Sequence, residues 1–362
     1  MKTSIAVIRG DGIGGDCIDA GLAVMEKALL LSGLPTPECI SLDAGAAYFT
    51  ETGCDIEKGG EERAGQADAI FLGAIGLPKI RYQDGTEISP HLRLRDQYGL
   101  YAGVRPVRAF PNVPPKLVAP EAAKIDLVLI RESTEGLFYS AAVHARSKVE
   151  GDDAVEEMLR ITRSTSERLH HFAFRLAEKR KNLGKGHSVT CVDKANVFRA
   201  FAFFRKIFDE VAENYPAIPR LYSYVDAMAL ELIRKPWRFD VLVTENMFGD
   251  ILSDLAAGLV GGMGMAPCAE IGDHTGLFQP AHGSAPDIMG QDKANPIATI
   301  LSAGLLLDYL AEKSGHAGFA EAAVRIERAV ESGFASHELR PIEFGGNMGT
   351  KAMTKAILNH LT

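Results

Sequence analysis

The chain has 362 residues, of which 46% are hydrophobic and 24% charged, and this is enough for a large core and two domains. Its formal net charge of −8 argues against nucleic acid as a partner, and no apolar run is long enough to span a membrane. Five scattered cysteines without a CxxC pair fit a reducing cytoplasm without a structural zinc site. We expect no signal peptide, because Arg9 and Asp11 interrupt the first apolar segment.

The first predicted unit is a strand, a glycine-rich turn and a helix. Residues 5–8 are apolar and precede the sequence RGDGIGG at 9–15. A helix with one apolar face follows and ends at Gly33. The glycine spacing does not fit G-x-G-x-x-G in its usual context, and no acidic residue ends a clear second strand about 20 residues later. The segment therefore predicts a tight turn and gives only a weak dinucleotide-binding signal.

Small residues follow the next predicted strand, and three arginines come after them. Residues 69–72 predict a buried strand, and GAIGLP at 73–78 would either let a ligand approach the backbone or form a plain loop. Arg131 ends the strand predicted at 126–130, where α/β proteins place ligands. An arginine considered by itself is most often part of an ion pair at the protein surface. Together, Arg95, Arg105 and Arg131 predict a substrate with two or more carboxylates.

A lysine and an aspartate stand at the ends of later elements. Lys194 follows the strand predicted at 188–192, where burial and nearby cations can lower the pKa of a lysine until it acts as a general base. A solvated lysine near a helix start is the alternative. Residues 222–229 predict a further helix, and Asp226 within it is a candidate metal ligand.

The stretch TENMFGDILSD at 244–254 carries the strongest chemical signal. It follows a β-branched run at 239–243 that predicts a buried strand, and it then turns into a helix. Asp250 and Asp254 are four residues apart and share one helix face. Their oxygens suit Mg²⁺ or Mn²⁺. The same spacing also fits one carboxylate favoured by the helix dipole and one that is merely solvated.

The C-terminal third contains polar loops and a strongly apolar helix. QPAHGSAPDI at 279–288 and the turn at 294–296 predict loops. The helix predicted at 297–310 is apolar enough to belong to the core, and a polar loop at 345–350 precedes a last helix. Strands alternate with helices throughout, so the predicted class is α/β.

In this order the segments resemble one family, the β-decarboxylating dehydrogenases that include isopropylmalate, isocitrate, homoisocitrate and tartrate/D-malate dehydrogenases. The motifs that carry the resemblance are GDGIG at 10–14, LR at 94–95, YAGVRP at 101–106, RESTEG at 131–136, VDKAN at 192–196, YVDA at 224–227, NMFGDILSD at 246–254 and HGSAPD at 282–287. Each motif is moderately specific. Their common order over nearly the whole chain is very specific.

The resemblance implies an isopropylmalate dehydrogenase-like two-domain fold with a large twisted mixed sheet, distinct from the Rossmann fold. Residues 1–102 and 258–362 would form the first, cofactor-side domain. Residues 103–257 would form the second domain, which carries the metal site and the dimer interface. The resemblance also implies a homodimer with shared active sites, to which the partner subunit contributes Lys194 and Asp226.

The same resemblance assigns chemical roles to the candidate residues. The implied ligands of Mg²⁺ or Mn²⁺ are Asp226, Asp250 and Asp254. The implied ligands of the substrate carboxylates are Arg95, Arg105 and Arg131. Lys194 would take the hydroxyl proton, directly or through water, and hydride transfer and loss of CO₂ would follow.

The implied cofactor contacts lie in the glycine turn, after the strand at 69–72 and in the C-terminal loops. They are Ile13, Gly73, Ile75, His282, Gly283, Ser284, Ala285, Asp287 and Asn295. NAD-dependent members of the family carry an aspartate at the position of Asp287, where it accepts from the ribose hydroxyls, and NADP-dependent members carry a lysine. A carboxylate there would repel a 2′-phosphate, so the implied cofactor is NAD.

Two departures from the family pattern concern the acid and the substrate pocket. The family tyrosine that protonates the product falls at Phe138, so we expect Tyr139 to take this catalytic role through a one-residue bulge, or the role to be lost. The residues that would contact the C3 substituent of the substrate are Ser89, His91 and Leu92. A histidine there favours a polar or small substituent, although Leu92 could still contact an alkyl group.

The substrate is left open by these residues. The best candidate is 3-isopropylmalate, on overall motif similarity and chain length. D-Malate or tartrate, isocitrate and homoisocitrate are the alternatives, as is a non-catalytic regulatory subunit. Retention of the lysine and the three metal carboxylates argues against that last alternative.

Overall fold

The computed structural model of the chain describes residues 3–139 and 147–362. Strands and helices alternate along these residues. The strands are β1 Ser4–Ile8, β2 Glu38–Leu42, β3 Ala69–Leu72, β4 Ala102–Arg108, β5 Asp126–Glu132, β6 Lys148–Glu150, β7 Ala154–Glu156, β8 Val189–Asp193, β9 Arg220–Tyr224, β10 Val241–Thr244, β11 Pro267–Ile271 and β12 Gly276–Pro280.

The helices lie between these strands and after the last one. They are α1 Gly14–Leu31, α2 Ala46–Thr52, α3 Gly60–Gln66, α4 Pro90–Gln97, α5 Arg163–Asn182, α6 Arg199–Ala212, α7 Val225–Arg234, α8 Asn246–Leu259, α9 Ile297–Ser314, α10 Ala317–Ala335 and α11 Thr350–His360. Among the described residues, none of the helices has both the length and the apolar character needed to cross a membrane.

One mixed sheet of ten strands organises the chain, in the order β2-β1-β3-β12-β11-β4-β5-β10-β8-β9. The two halves of this sheet run in opposite directions, because β11, β4 and β5 are joined to their neighbours by antiparallel pairing at the centre. N-terminal and C-terminal strands make one half, and the strands between them make the other. The expected large mixed sheet is therefore confirmed.

Helices cover both faces of the sheet. On one face α1, α9, α10 and α11 share a continuous apolar core with α5 and α6. On the other face α3 and α4 cover one half, and α7 and α8 cover the other. Because β1, β3 and β10 are buried on both sides, they have the nearly uninterrupted apolar sequences of parallel strands in α/β proteins.

Two local predictions differ from the structure. The segment at 222–229 does not begin as a helix, because residues up to Tyr224 belong to β9, which pairs in parallel with β8 at the sheet edge. The helix begins only at Val225. Likewise, Gln279 and Pro280 end β12 and are not yet part of the loop. In both cases pairing with another strand overrides the local pattern: β9 pairs with β8, and the end of β12 pairs with β11.

A buried histidine lies in the aromatic core beneath the sheet. His170 of α5 is fully buried, with its ring centroid 4.4 Å from that of Phe204 and 5.3 Å from that of Phe208. Its Nε2 lies 3.2 Å from the carbonyl oxygen of Phe204, and its Nδ1 has no hydrogen-bond partner in residues 3–139 and 147–362. Burial lowers the pKa of this imidazole to about 3, because the surrounding rings cannot solvate a cation.

We predict that His170 makes the fold sensitive to mild acid. The unfolded chain binds a proton below about pH 6.5 and the folded chain does not, so this stabilisation is complete above that pH and is lost as the pH falls towards 3. Because His170 is protonated at pH 5 only in the unfolded chain, it should make the free energy of unfolding about 2 kcal/mol lower at pH 5 than at pH 8. Urea titrations at both pH values measure the difference.

His170→Phe and His170→Gln are the matched variants. Neither side chain titrates in this range, so both should reduce the difference between pH 5 and pH 8, whatever their absolute stabilities. An unchanged pH difference in both variants would show that other groups cause the acid sensitivity.

Candidate active site

The glycine turn after β1 is held by a buried carboxylate. Asp11 is 2% exposed, and its two oxygens accept from the backbone N–H groups of Ala46, Ala47 and Gly76, each at 2.8 Å. Its own N–H donates to the carbonyl of Ala74 at 2.7 Å. Because a carboxylate can accept several N–H donors at once, one side chain joins the turn, the start of α2 and the loop after β3.

The loop after β12 closes on the same turn. Ile13 N donates to Ser284 O at 2.8 Å, and the Ser284 hydroxyl donates to the carbonyl of Gly76. A Cβ at Gly12 would overlap the carbonyl oxygen of Ser284, and the φ of Gly12 is +56°, so this close approach requires glycine. The partly buried Ala285 packs against a small apolar cluster that contains Ile13. Three loops after three strands thus meet here.

These contacts bring several predicted cofactor residues together. Ile13 is hydrogen-bonded to Ser284, Ala285 packs against the cluster that contains Ile13, and Gly73 donates its N–H to the carbonyl of Ile8 at the base of the turn. Ile75 packs against the apolar core on the face of the sheet that α3 and α4 cover. The converging loops are built mainly from backbone and small side chains, which is the kind of surface that a dinucleotide approaches closely.

The remaining predicted cofactor residues border this surface. Asn295 donates to Glu343 Oε2 at 2.8 Å and accepts from the N–H of Ile297 at the start of α9. His282 Nε2 is buried and finds no hydrogen-bond partner among the described residues, and burial lowers the pKa of its ring. Gly283 has no neighbour that a side chain would meet, and Asp287 is exposed. An unpartnered buried nitrogen and an open, small-residue loop fit a ligand with polar groups.

The three arginines lie in one buried group. Their residues are only 3–7% exposed, although they come from α4, β4 and β5. Glu270 of β11, which is fully buried, forms ion pairs with Arg95 at 3.0 Å and with Arg105 at 2.9 Å. Burial and the other two arginines lower the pKa of Arg131 to about 10, against the attraction of Asp250. Anions are thus favoured at this group.

Arg131 is oriented by the start of α8. Its Nε and Nη2 donate to Asn246 Oδ1 at 2.9 and 2.7 Å, and its Nη1 pairs with Asp250. Gly249 lies against the Arg131 side chain, where a Cβ would be 2.7 Å from the arginine Cβ. The N-terminal turns of α8 therefore fix the third guanidinium.

The predicted metal carboxylates are only partly assembled within one chain. Asp250 and Asp254 lie on one face of α8, and burial together with Asp250 raises the pKa of Asp254. Asp226 instead pairs with Lys194 at 2.7 Å, and its side chain is 69% exposed. In residues 3–139 and 147–362 no three His, Cys, Asp or Glu side chains lie close enough together to hold a metal ion. Two adjacent carboxylates do have the hard oxygen donors that Mg²⁺ or Mn²⁺ requires.

The two aromatic residues after the RESTEG motif face different arginines. The Arg131 guanidinium carbon lies 5.1 Å from the centroid of the Phe138 ring. The ring of Tyr139 instead lies beneath Arg160, at 4.6 Å. Phe138 is therefore the ring next to the arginine group, and the assignment of Tyr139 as the acid stays a prediction.

The three residues predicted to contact the C3 substituent differ in burial and in hydrogen bonding. Ser89 precedes α4, and its hydroxyl donates to the carbonyl of Glu87 at 3.0 Å. Leu92 is half-buried in the first turns of α4. His91 Nδ1 is buried and has no hydrogen-bond partner in the described part of the chain, and burial followed by Arg95 lowers the pKa of its ring to about 3. His91 is thus a neutral polar group beside the arginines.

Sequence reasoning missed Glu270 and the role of Asp11. Glu270 is the only charged residue in β11, whose sequence PCAEI is otherwise apolar. A charged residue within a buried strand is almost always paired, so recognition of β11 as a strand would have indicated a cationic partner for Glu270. The sequence did not predict a strand at 267–271, and Glu270 was therefore missed.

A family model and several named relatives match this chain over nearly its whole length. The sequence model of the family described as isocitrate/isopropylmalate dehydrogenase matches residues 4–357. The chain belongs to this family.

Two relatives from Methanocaldococcus jannaschii differ in their named substrates. A 3-isopropylmalate/3-methylmalate dehydrogenase is 42% identical over 98% of this chain and 97% of its own length. A homoisocitrate dehydrogenase is 39% identical over 99% and 97%. The crystal structure of isocitrate dehydrogenase from Methylococcus capsulatus is 33% identical, with a TM-score of 0.85 over 99% of both chains. This family member is accordingly a decarboxylating dehydrogenase with an isocitrate/isopropylmalate dehydrogenase-like fold.

Proposed function

We propose that this dehydrogenase oxidises and decarboxylates a 3-substituted D-malate with NAD and Mg²⁺ or Mn²⁺, and that 3-isopropylmalate is the first substrate to test. The observation that carries the proposal is the buried group of three arginines beside the carboxylates of Asp250 and Asp254. Guanidinium groups bind carboxylates in defined orientations, and carboxylates suit the two metals.

In the proposed mechanism the side chains of the chain bind, orient and move protons. Arg95, Arg105 and Arg131 hold the substrate carboxylates, and burial excludes water from this contact. The neutral amine of Lys194 takes the hydroxyl proton, directly or through water, and becomes an ammonium group that Asp226, 2.7 Å from its nitrogen, stabilises. A divalent cation held by Asp226, Asp250 and Asp254 would act as a Lewis acid on the reacting oxygens.

The proposed cofactor is NAD. Its contacts would be the converging loops with Ile13, Gly73 and Ser284, and its nicotinamide would accept the hydride. The exposed carboxylate of Asp287 supports NAD over NADP, since it would repel a 2′-phosphate.

We also propose two domains and a homodimer with shared active sites. The strand order supports the division of the chain into 1–102 with 258–362 and 103–257, because each part supplies half of the sheet. Exposed apolar side chains on α7 and α8 support the dimer, among them Leu230, Ile233 and Ile251, which are 52–61% exposed. A cytoplasmic location is proposed from the five free cysteines.

Homoisocitrate and isocitrate are the second candidates. They are favoured by the relatives that bear these names and by the polar ring of His91 near the arginines. D-Malate and tartrate would need the same arginines and the same metal carboxylates.

We predict Mn²⁺-dependent reduction of NAD⁺ with one or more 2-hydroxy diacids. The panel is D-malate, tartrate, 3-isopropylmalate, isocitrate and homoisocitrate, followed by NADH absorbance. NADP⁺ should give a kcat/KM at least about tenfold lower, because of the repulsion at Asp287. An excess of chelator should abolish the activity. NADPH formation faster than NADH formation would refute the cofactor assignment.

We predict that Tyr139→Phe lowers kcat by about a hundredfold, because loss of the phenol removes a general acid. Phe138→Leu is the matched control, since it changes the neighbouring ring without removing a proton donor. Equal kcat in wild type and Tyr139→Phe would show that Tyr139 is not the acid.

We predict that two inactive variants complement each other when mixed. In a shared site, Lys194 comes from one subunit and Asp250 from the other, so a dimer of one Lys194→Met and one Asp250→Asn subunit has one intact site. Random exchange makes half of the dimers mixed, which restores about a quarter of the wild-type activity. Subunits are exchanged by mild denaturation and refolding together. Lys194→Met mixed with Asp226→Asn is the control and should stay inactive. No recovery in the first mixture would mean that each subunit has a complete site of its own.

A further inference from the structure

Glu270 is a carboxylate of the protein placed inside the proposed substrate-binding group. Its Oε1 lies within 3.0 Å of a terminal nitrogen of both Arg95 and Arg105. These contacts have the geometry of a substrate carboxylate held between two guanidinium groups. The proposed binding site thus already contains one anion.

The sheet register explains how an acidic residue reaches this place. Glu270 of β11 lies opposite Gly103 of β4, and Gly103 lies opposite Arg131 of β5. Opposite residues on neighbouring strands face the same side of a sheet. A Cβ at Gly103 would lie 3.0 Å from Glu270 Oε2 and 2.7 Å from the Ser133 hydroxyl, so the glycine provides the space that the carboxylate occupies.

Within residues 3–139 and 147–362, four polar atoms at this place are buried and have no hydrogen-bond partner. They are His91 Nδ1, Arg95 Nε, Arg105 Nε and Glu270 Oε2. Buried polar atoms are normally paired, so this concentration indicates that a polar ligand completes the group. Because Glu270 takes one terminal nitrogen from each arginine, only the remaining N–H groups of these guanidinium groups are available to that ligand.

The charges can be counted. The three guanidinium groups contribute three positive charges and Glu270 one negative charge, which leaves two positive charges for the ligand. Burial opposes the ionisation of Glu270, but Arg95 and Arg105 outweigh it and lower the pKa of the carboxyl group below its usual value. His91 contributes no charge because its ring is neutral. Asp250 pairs with Arg131 here, but a divalent cation at the proposed metal site would balance the charges of Asp250 and Asp254, so both carboxylates are left out of the count.

We propose that Glu270 sets the charge of the accepted substrate, so that the enzyme takes hydroxy acids with two carboxylates and discriminates against those with three. A substrate dianion balances the two remaining positive charges. A third carboxylate would leave an uncompensated negative charge near Glu270, and such a charge is strongly disfavoured in a water-poor site. This inference rests on the proposed function and narrows it to malate-type substrates.

The test compares dicarboxylate and tricarboxylate substrates in wild type and Glu270→Gln. The measured quantity is the ratio of kcat/KM for the better of D-malate and 3-isopropylmalate to that for the better of isocitrate and homoisocitrate. This ratio does not depend on how much of the variant folds. We expect wild type to favour the dicarboxylate, and Glu270→Gln to lower the ratio by about tenfold or more, because one unit of negative charge is removed.

Two further variants separate charge from structure. Glu270→Asp keeps the charge and should keep the wild-type preference. Glu327→Gln removes a carboxylate from Arg108, three residues beyond Arg105 on the same strand and at the surface, and should leave the ratio unchanged. A wild type that prefers a tricarboxylate, or a ratio that Glu270→Gln does not change, would overturn the proposal.

Failure of the proposed function gives a different result. If no hydroxy acid is oxidised, the proposed function is wrong, and the ligand preference is then read from the melting temperature of the wild type. Glutarate should raise it more than propane-1,2,3-tricarboxylate at equal concentration. An equal or larger rise with the tricarboxylate would overturn the inference. Because the melting temperature is measured on the wild type, it tests the inference even if Glu270→Gln does not fold.

Discussion

Three guanidinium groups are buried at the centre of the sheet, and the surrounding structure compensates their charge. An isolated buried charge is expensive, so each arginine has an anionic or polar partner on another element. Glu270 forms ion pairs with Arg95 and Arg105. Helix α8 provides Asn246 and Asp250, which are the partners of Arg131. The antiparallel strands β4, β11 and β5 bring these partners together at the point where the two halves of the sheet join.

A second carboxylate organises the opposite half of the molecule. Asp11 binds backbone N–H groups from two other segments, and Ser284 closes the third side of the same turn. Glycines make these close approaches possible, and small side chains leave a surface formed largely by backbone. The proposed substrate and cofactor regions are therefore built differently: one from paired charged side chains, the other from backbone and loop geometry.

Much of the fold could be predicted from the sequence, because buried strands and amphipathic helices have local patterns. The strands β3, β8 and β10 and the helices α1, α8 and α9 followed from apolar runs and from the residues that end them. The strand β9 and the strand β11 could not be recognised in this way. Each is defined by pairing with a strand distant in sequence, and neither has an alternating or long apolar pattern of its own.

For the site, the sequence alone determined which residue types are present and in what order: three arginines, a lysine, three aspartates and the HGSAPD loop. This order was sufficient to recognise the family, because each motif is short but their succession is specific. Only the tertiary structure decided which of them meet. It placed Phe138 beside Arg131, paired Asp226 with Lys194 and set Glu270 between two arginines. The physical reason is that ion pairing and burial depend on distances across the sheet, which local sequence patterns do not contain.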